Sequence, residues 1–269
     1  MPELPEVETV RRSLLSLVGL KVVGVVVRER RLRRPVTDDL DRLLTGKRWV
    51  GFDRTSKYLL ARLSSGKTML VHLGMSGTLF IRPGGSALQQ HDHVLIALSD
   101  GSELVYHDPR RFGVLLVGDE SSFTELRHIG IDPLGSDFSA VALWAMTRGR
   151  SKPIKNLLMD QTLIAGVGNI YANEALFRAG IRPRRQARGL RRREVEDLAR
   201  QVPSTLREAI ELGGSSIADY RDGRGKPGYF QLRLRVYDRH GEPCLTCGTT
   251  IRRLVLGGRS TFYCPRCQS

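Results

Sequence analysis

Between residues 49 and 117 the chain consists almost entirely of short apolar stretches, and this run limits the fold more than any other feature. The stretches fall at residues 49–53, 58–63, 68–72, 78–81, 93–98, 103–106 and 114–117, separated by turns rich in Gly or Asp. The β-branched run at 21–27 reads as one more buried strand. Seven or eight consecutive strands with no helical period between them suggest a β-sandwich or barrel rather than an alternating α/β sheet. A short helix is expected at 39–44, and residues 84–90 read as a loop. Beyond a connection at 119–136, with a short helix around 123–128, the apolar period becomes helical, over 139–147, 153–160, 171–179 and 193–212. Pro203 lies inside the last of these and is expected to kink or split it. Residues 232–237 and 244–267 read as strands. The expected class is α+β multidomain, divided at 1–132, 133–231 and 232–269.

A chain of 269 residues with 41% apolar side chains can build real cores, and its net charge of +15 favours a polyanionic partner. Charge alone does not separate DNA from RNA or an anionic membrane. No apolar run approaches the ~20 residues that span a bilayer, and the acidic start lacks a signal-peptide pattern, so a cytosolic protein is expected. Two arginine clusters stand out: Arg28, Arg30, Arg31, Arg33 and Arg34, then Arg182, Arg184, Arg185, Arg188 and Arg191 to Arg193. Each reads as a solvated face or a phosphate-contacting one.

All four cysteines sit in two Cys-x-x-Cys pairs, Cys244 with Cys247 and Cys264 with Cys267, separated by 16 residues. Four thiolates at this spacing suit one tetrahedral Zn2+ held between two turns. A disulfide framework is the other reading; without a secretory signal or any further cysteine, a structural zinc is favoured. Four sulfur ligands leave no position open for catalysis.

The first residues, Met-Pro-Glu-Leu-Pro-Glu-Val-Glu, carry the chemistry. Removal of Met1 would leave Pro2 as a secondary-amine terminus. An α-amino group titrates near ~8, against ~10.4 for lysine, so part of it is unprotonated and nucleophilic at neutral pH. Attack on a carbonyl-type carbon would give an iminium ion, an electron sink for elimination. Glu3 and Glu6 are carboxyls able to give and take protons. The same residues also read as a helix start, with Pro5 in the first turn and acids at the positive end, and both readings hold together.

This opening resembles the N-terminus of the formamidopyrimidine-DNA glycosylase family, in which the terminal proline is the nucleophile and the next glutamate the general acid/base. Leu4 is that family's form; the related endonuclease VIII group typically has glycine there. The resemblance extends along the chain. Lys57, by residue type an ordinary surface lysine, matches a family lysine that contacts the backbone and the damaged site. Met75, between two glycines, and the Asp108-to-Gly113 turn with Arg110 and Phe112 match the residues that fill the gap left by a flipped nucleotide, Arg110 facing the orphaned cytosine. By type alone Met75 and Phe112 would be core. His72 and His91 read first as hydrogen-bonded structural histidines, and His91 is placed with the DNA-contacting set.

The segment from Leu158 to Tyr171, with Gly166-Val167-Gly168-Asn169, resembles the family's helix-two-turns-helix element. No strand precedes it, so a dinucleotide-binding turn is excluded. In the family the residue at Asn169 grips a phosphate and the one at Lys155 lies near the active site. Residues 222–230 resemble a loop that closes over an extruded oxidised purine; an interhelical linker is the bland alternative. Arg259, between the cysteine pairs, matches a clamp on phosphates flanking the lesion.

The expected catalytic set is therefore Pro2, Glu3, Lys57 and Arg259. The expected DNA-contacting set is Glu6, Met75, His91, Arg110, Phe112, Lys155 and Asn169. The resemblance implies a monomer that excises oxidised purines from duplex DNA, acts on abasic sites, and cleaves the strand by β- and δ-elimination. Two alternatives stand beside it: an endonuclease VIII-like oxidised-pyrimidine glycosylase and a non-enzymatic damage-binding protein.

Overall fold

The computed structural model describes residues 2–215, 223–224 and 228–269. The chain forms two compact units, Met1–Arg127 with Leu212–Tyr229, and His128–Glu211 with Phe230–Ser269.

The first unit opens on helix α1, Leu4–Leu14. Its start is a reciprocal capping box. The Glu3 carboxylate accepts the Glu6 N–H, and the Glu6 carboxylate accepts the Glu3 N–H at 2.8 Å. Strand β1 (Val22–Val27) and helix α2 (Leu40–Leu44) follow, then β2 (Trp49–Thr55), β3 (Tyr58–Leu63), β4 (Thr68–His72), β5 (Thr78–Pro83), β6 (Asp92–Leu98), β7 (Ser102–His107) and β8 (Val114–Gly118). They pair antiparallel into two four-stranded sheets, ordered β1-β6-β7-β5 and β2-β3-β4-β8. One core joins the two sheets: Leu59, Met69 and Val71 from one, Leu79, Ile96 and Leu104 from the other. Val7, Val10 and Leu14 of α1 belong to the same core, each such side chain contributing roughly 1.5–3 kcal/mol by leaving water. α1 is thus an integral part of the β-sandwich, and the core fixes where the residues just before it stand.

The second unit contains α3 (Ala140–Thr147), α4 (Ile154–Leu158), α5 (Asn169–Arg178), α6 (Arg192–Glu211) and a hairpin of β9 (Arg252–Leu256) and β10 (Arg259–Tyr263). Ser139 caps α3 by accepting the Ala142 N–H at 3.1 Å. The buried face of α6, including Val195, Leu198, Val202 and Leu206, packs against α3 and α5. Pro203 does not split this helix, which runs unbroken from Arg192 to Glu211. Apolar contacts on both sides of the proline outweigh the one backbone hydrogen bond it cannot donate.

Residues 232–237 are not a strand. Phe230–Arg233 forms a single 3-10 turn, and the N–H groups of Arg235, Val236 and Tyr237 donate to the buried Glu174 carboxylate at 2.9–3.1 Å. A carboxylate takes the donors that a neighbouring strand would otherwise have used. None of the described helices is long and apolar enough to cross a membrane.

Candidate active site and nucleic-acid interface

Pro2 and Glu3 are buried in the first unit, immediately before α1. Glu6 is also buried: one oxygen accepts the Glu3 N–H and the other the Ser215 N–H, both at 2.8 Å. Glu6 was expected to contact DNA. The structure instead gives its carboxylate to backbone donors, so that it anchors the N-terminus to the segment around Ser215.

Lys57 is buried at the two-residue turn between β2 and β3, where Ser56 takes the left-handed conformation at φ 58°. Arg54 ties this turn to α1: it donates to the Ser56 carbonyl at 3.0 Å and to Glu8 at 3.3 Å. Burial pushes the Glu8 carboxyl up, but the hydrogen bonds from Arg11 and Arg12 outweigh it and hold the group below the usual carboxylate range. Glu8 therefore stays charged, and it links the helix that follows Pro2 and Glu3 to the turn that carries Lys57.

His72 pairs across the ladder with Tyr58, their rings 4.9 Å apart. Its Nδ1 accepts the Gly74 N–H at 3.0 Å, which places the ring proton on Nε2. Burial, with the charges of Lys57 and Arg33, pushes its pKa down to about 4. His72 is thus a neutral structural histidine that sets the start of the Met75 loop.

A stability consequence follows. Below pH ~6.5 the unfolded chain takes up a proton at this position and the folded chain does not, so the contribution of neutral His72 is lost as pH falls from ~6.5 towards about 4. Thermal unfolding between pH 7 and 4 should show this fall, and His72→Gln should flatten it by roughly 2–3 kcal/mol over that range. An identical pH slope in the variant would assign the loss to other groups.

Met75 and Phe112 are each 44% exposed, so neither is a core residue. The Arg110 guanidinium lies over the Phe112 ring, 4.8 Å from its centroid. The two loops touch through backbone. Gly74, at φ 63°, has no room for a Cβ, which would fall 2.5 Å from the Phe112 carbonyl carbon. His91 is half-buried beside His93 and His107, ring centroids 6.2 and 5.9 Å away. His107 in turn meets the fully buried Asp92 at 2.9 Å. Within residues 222–230, positions 222 and 225–227 lie outside the described residues; among those described, Tyr229 N–H donates to the Leu212 carbonyl at 2.9 Å.

In the second unit, Lys155 is fully buried, and its ammonium donates to the Ser260 carbonyl at 3.0 Å and the Thr261 hydroxyl at 2.6 Å. It was expected to contact DNA. In this conformation it secures the hairpin instead. Asn169, the first residue of α5, donates from Nδ2 to the same Ser260 carbonyl at 3.0 Å. The sequence reading missed Asn173, which is fully buried, donates to the Asn169 carbonyl at 2.6 Å and accepts the Phe262 N–H at 2.8 Å. Its only sequence signal was an amide one turn after Asn169, followed directly by Glu174. These side chains fix strand β10 at Ser260, Thr261 and Phe262, and Arg259 stands exposed at the hairpin tip just before them.

The four cysteine sulfurs all lie within 4.8 Å of one another, with Cys244–Cys267 at 3.9 Å and Cys247–Cys264 at 3.5 Å. A tetrahedral ZnS4 centre with bonds of about 2.3 Å has sulfur–sulfur edges of about 3.8 Å, so the donor set fits. Hydrogen bonds from Thr249 lower the Cys247 thiol to about 6, whereas burial and the neighbouring thiols push Cys267 up. Sulfurs this close cannot all ionise without a cation among them, and one structural Zn2+ meets that need.

A buried Pro2 and Glu3 at the start of a helix, exposed Met75, Arg110 and Phe112 on adjoining loops, a four-cysteine cluster and a net charge of +15 together fit one class of protein, the DNA glycosylases. Three family descriptions match in chain order: the formamidopyrimidine-DNA glycosylase N-terminal domain over residues 1–115, its H2TH domain over 129–221, and the zinc finger found in FPG and IleRS over 241–269. The formamidopyrimidine-DNA glycosylase of Stutzerimonas stutzeri is 49% identical over 270 residues, covering 100% of both chains. A Lactococcus lactis FPG variant solved with DNA containing Fapy-dG superposes with a TM-score of 0.93 at 34% identity over 100% of both chains. The L. lactis Fpg solved with abasic-site DNA gives 0.92 at 34% identity over 99% of both. The chain belongs to the formamidopyrimidine-DNA glycosylase family. It is a DNA glycosylase with lyase activity on abasic sites.

Proposed function

We propose that this chain excises oxidised purines, 8-oxoguanine and formamidopyrimidines, from duplex DNA and then cleaves the strand, with Pro2 as nucleophile and Glu3 as general acid/base. The observation that carries the reading is the first unit's N-terminus. Glu3 sits next to Pro2, buried and fixed by the capping box and by Glu6, so the acid is preorganised beside the amine.

Pro2 nitrogen attacks C1′ of the damaged nucleotide, and the C1′–base bond breaks. The base leaves with the proton that the amine gives up, and Glu3 delivers a proton to the sugar ring oxygen as the ring opens, which leaves the Pro2–C1′ iminium. The Pro2–C1′ iminium draws electrons from C2′–H; loss of that proton expels the 3′-phosphate, and a second elimination expels the 5′-phosphate. Hydrolysis of the iminium returns the amine. Met75, Arg110 and Phe112 fill the vacated stack, with His91 on the DNA-contacting side. Asn169 and Arg259 engage phosphates, and Lys57 acts at the damaged site. Zn2+ takes no part in a step: Cys244, Cys247, Cys264 and Cys267 hold it to fix the hairpin. In this reading residues 1–132 carry the chemistry, 133–231 the helical DNA contacts and 232–269 the zinc module.

Borohydride trapping on a duplex with one 8-oxoguanine opposite cytosine, followed by mass mapping, tests the proposal. An adduct on Pro2 is expected, which also requires removal of Met1. An adduct only on an oxidised-pyrimidine duplex would move the substrate to the endonuclease VIII type. Tight binding without any adduct would leave a damage-binding protein.

A further inference from the structure

We propose that Asp108 and Ser76 are positioning residues which set the joint register of Met75, Arg110 and Phe112, and through it the discrimination of the base opposite the lesion. The proposal rests on the reading of those three side chains as the ones that fill the vacated stack.

Asp108 is fully buried beneath the two exposed loops. Its Oδ1 accepts the Ser76 hydroxyl at 2.8 Å. Its Oδ2 accepts the Gly113 N–H at 2.9 Å and the Tyr106 hydroxyl at 3.1 Å. The backbone of the same residue is equally committed: its N–H donates to the His91 carbonyl at 3.1 Å, and its carbonyl accepts the Arg111 N–H at 3.1 Å and meets His93 Nε2 at 2.8 Å. Ser76 completes the circuit, because the oxygen that donates to Asp108 also accepts the Arg110 N–H at 3.2 Å.

Ser76 is next in chain to Met75, Gly113 is next to Phe112, and Arg110 is held through its own N–H. One buried carboxylate and one half-buried hydroxyl therefore hold the backbone at or beside all three exposed side chains, and the backbone N–H of Asp108 holds His91. A buried carboxylate costs several kcal/mol unless its lone pairs are filled. Here three donors from separate places fill them, which is how a buried charge fixes one geometry rather than several. The close backbone approach at Gly74 leaves the loops no slack to absorb a shift. A residue serving only to stabilise the end of the sandwich would have no need to link both loops through a shared hydroxyl.

The test compares kcat/KM for 8-oxoguanine opposite cytosine with that opposite adenine. A purely structural loss lowers both values together; a displaced Arg110 changes their ratio. Ser76→Ala cuts the link and leaves the other Asp108 hydrogen bonds in place, so it should fold. It is expected to reduce the ratio about 5- to 10-fold, the equivalent of one lost hydrogen bond. Ser76→Thr, which keeps the hydroxyl, should retain the ratio, Asp108→Asn should reduce it, and Arg110→Ala should reduce it most. An unchanged ratio in Ser76→Ala, with a reduced one in Arg110→Ala, overturns the positioning role alone. An unchanged ratio in Arg110→Ala overturns the reading of Arg110 and the inference with it.

Discussion

Replacing Glu3 by glutamine is expected to slow base release by a factor on the order of 10²–10⁴, the usual contribution of a general acid/base, with fold and DNA binding retained. The expectation depends on the two tasks Glu3 performs. As a cap, its side-chain oxygen accepts the Glu6 N–H at the start of α1. As an acid, it delivers a proton to the opening sugar. Glutamine keeps an acceptor oxygen for the first task and cannot perform the second. Alanine loses both, and should add a stability cost of about 1 kcal/mol from the missing cap. Single-turnover excision and thermal melts of the two variants separate the roles. If Glu3→Gln retains normal base release, Glu3 is a cap only, and the acid must be sought elsewhere.

The second large effect concerns the metal. Substituting Cys264, which is fully buried in the cluster with Val236, Ile251 and Phe262, should abolish zinc retention and with it the fixed position of Arg259. Structural zinc contributes on the order of 10–16 kcal/mol to such modules, far more than the hydrogen bonds from Lys155, Asn169 and Asn173 can replace. DNA affinity should fall on the order of 10²-fold in Cys264→Ser. The slope of log K against log salt should shrink by about 0.9 for each phosphate that the protein ceases to neutralise. Metal content by elemental analysis and a salt titration of binding check both parts. Full affinity with an unchanged slope in zinc-free protein would show that the side chains of α4 and α5 are sufficient to hold the hairpin.

Most of the architecture was legible because it rests on local periodicity. The seven strands from 49 to 117 recur within two residues of their expected limits, since alternation and turn residues act over a few positions. The cysteine spacing carried the metal for the same reason. What the sequence concealed was set by partners distant in the chain. Residues 232–237 look like a strand until Glu174, some sixty positions earlier, takes their N–H groups. Pro203 looks like a break until both flanks of α6 are packed. Lys155 and Glu6 look like surface charges, and their burial depends on Ser260 and Thr261 in one case and Ser215 in the other. Asp108 gave no warning, because an aspartate before proline is an ordinary turn residue; only the fold aims Ser76, Tyr106 and Gly113 at its carboxylate.

The carbonyl of Ser260 accepts from both Lys155 and Asn169, and Asn173 holds the next part of β10. The zinc hairpin is therefore no exchangeable cassette. Its seat is written into two helices nearly a hundred residues upstream. A hairpin transplanted from a distant relative would arrive without its docking partners, with a buried lysine left facing the wrong neighbour. Engineering of lesion preference by swapping tails would have to move Lys155, Asn169, Asn173 and Thr261 together, and natural divergence at any one of them should be accompanied by change at the others.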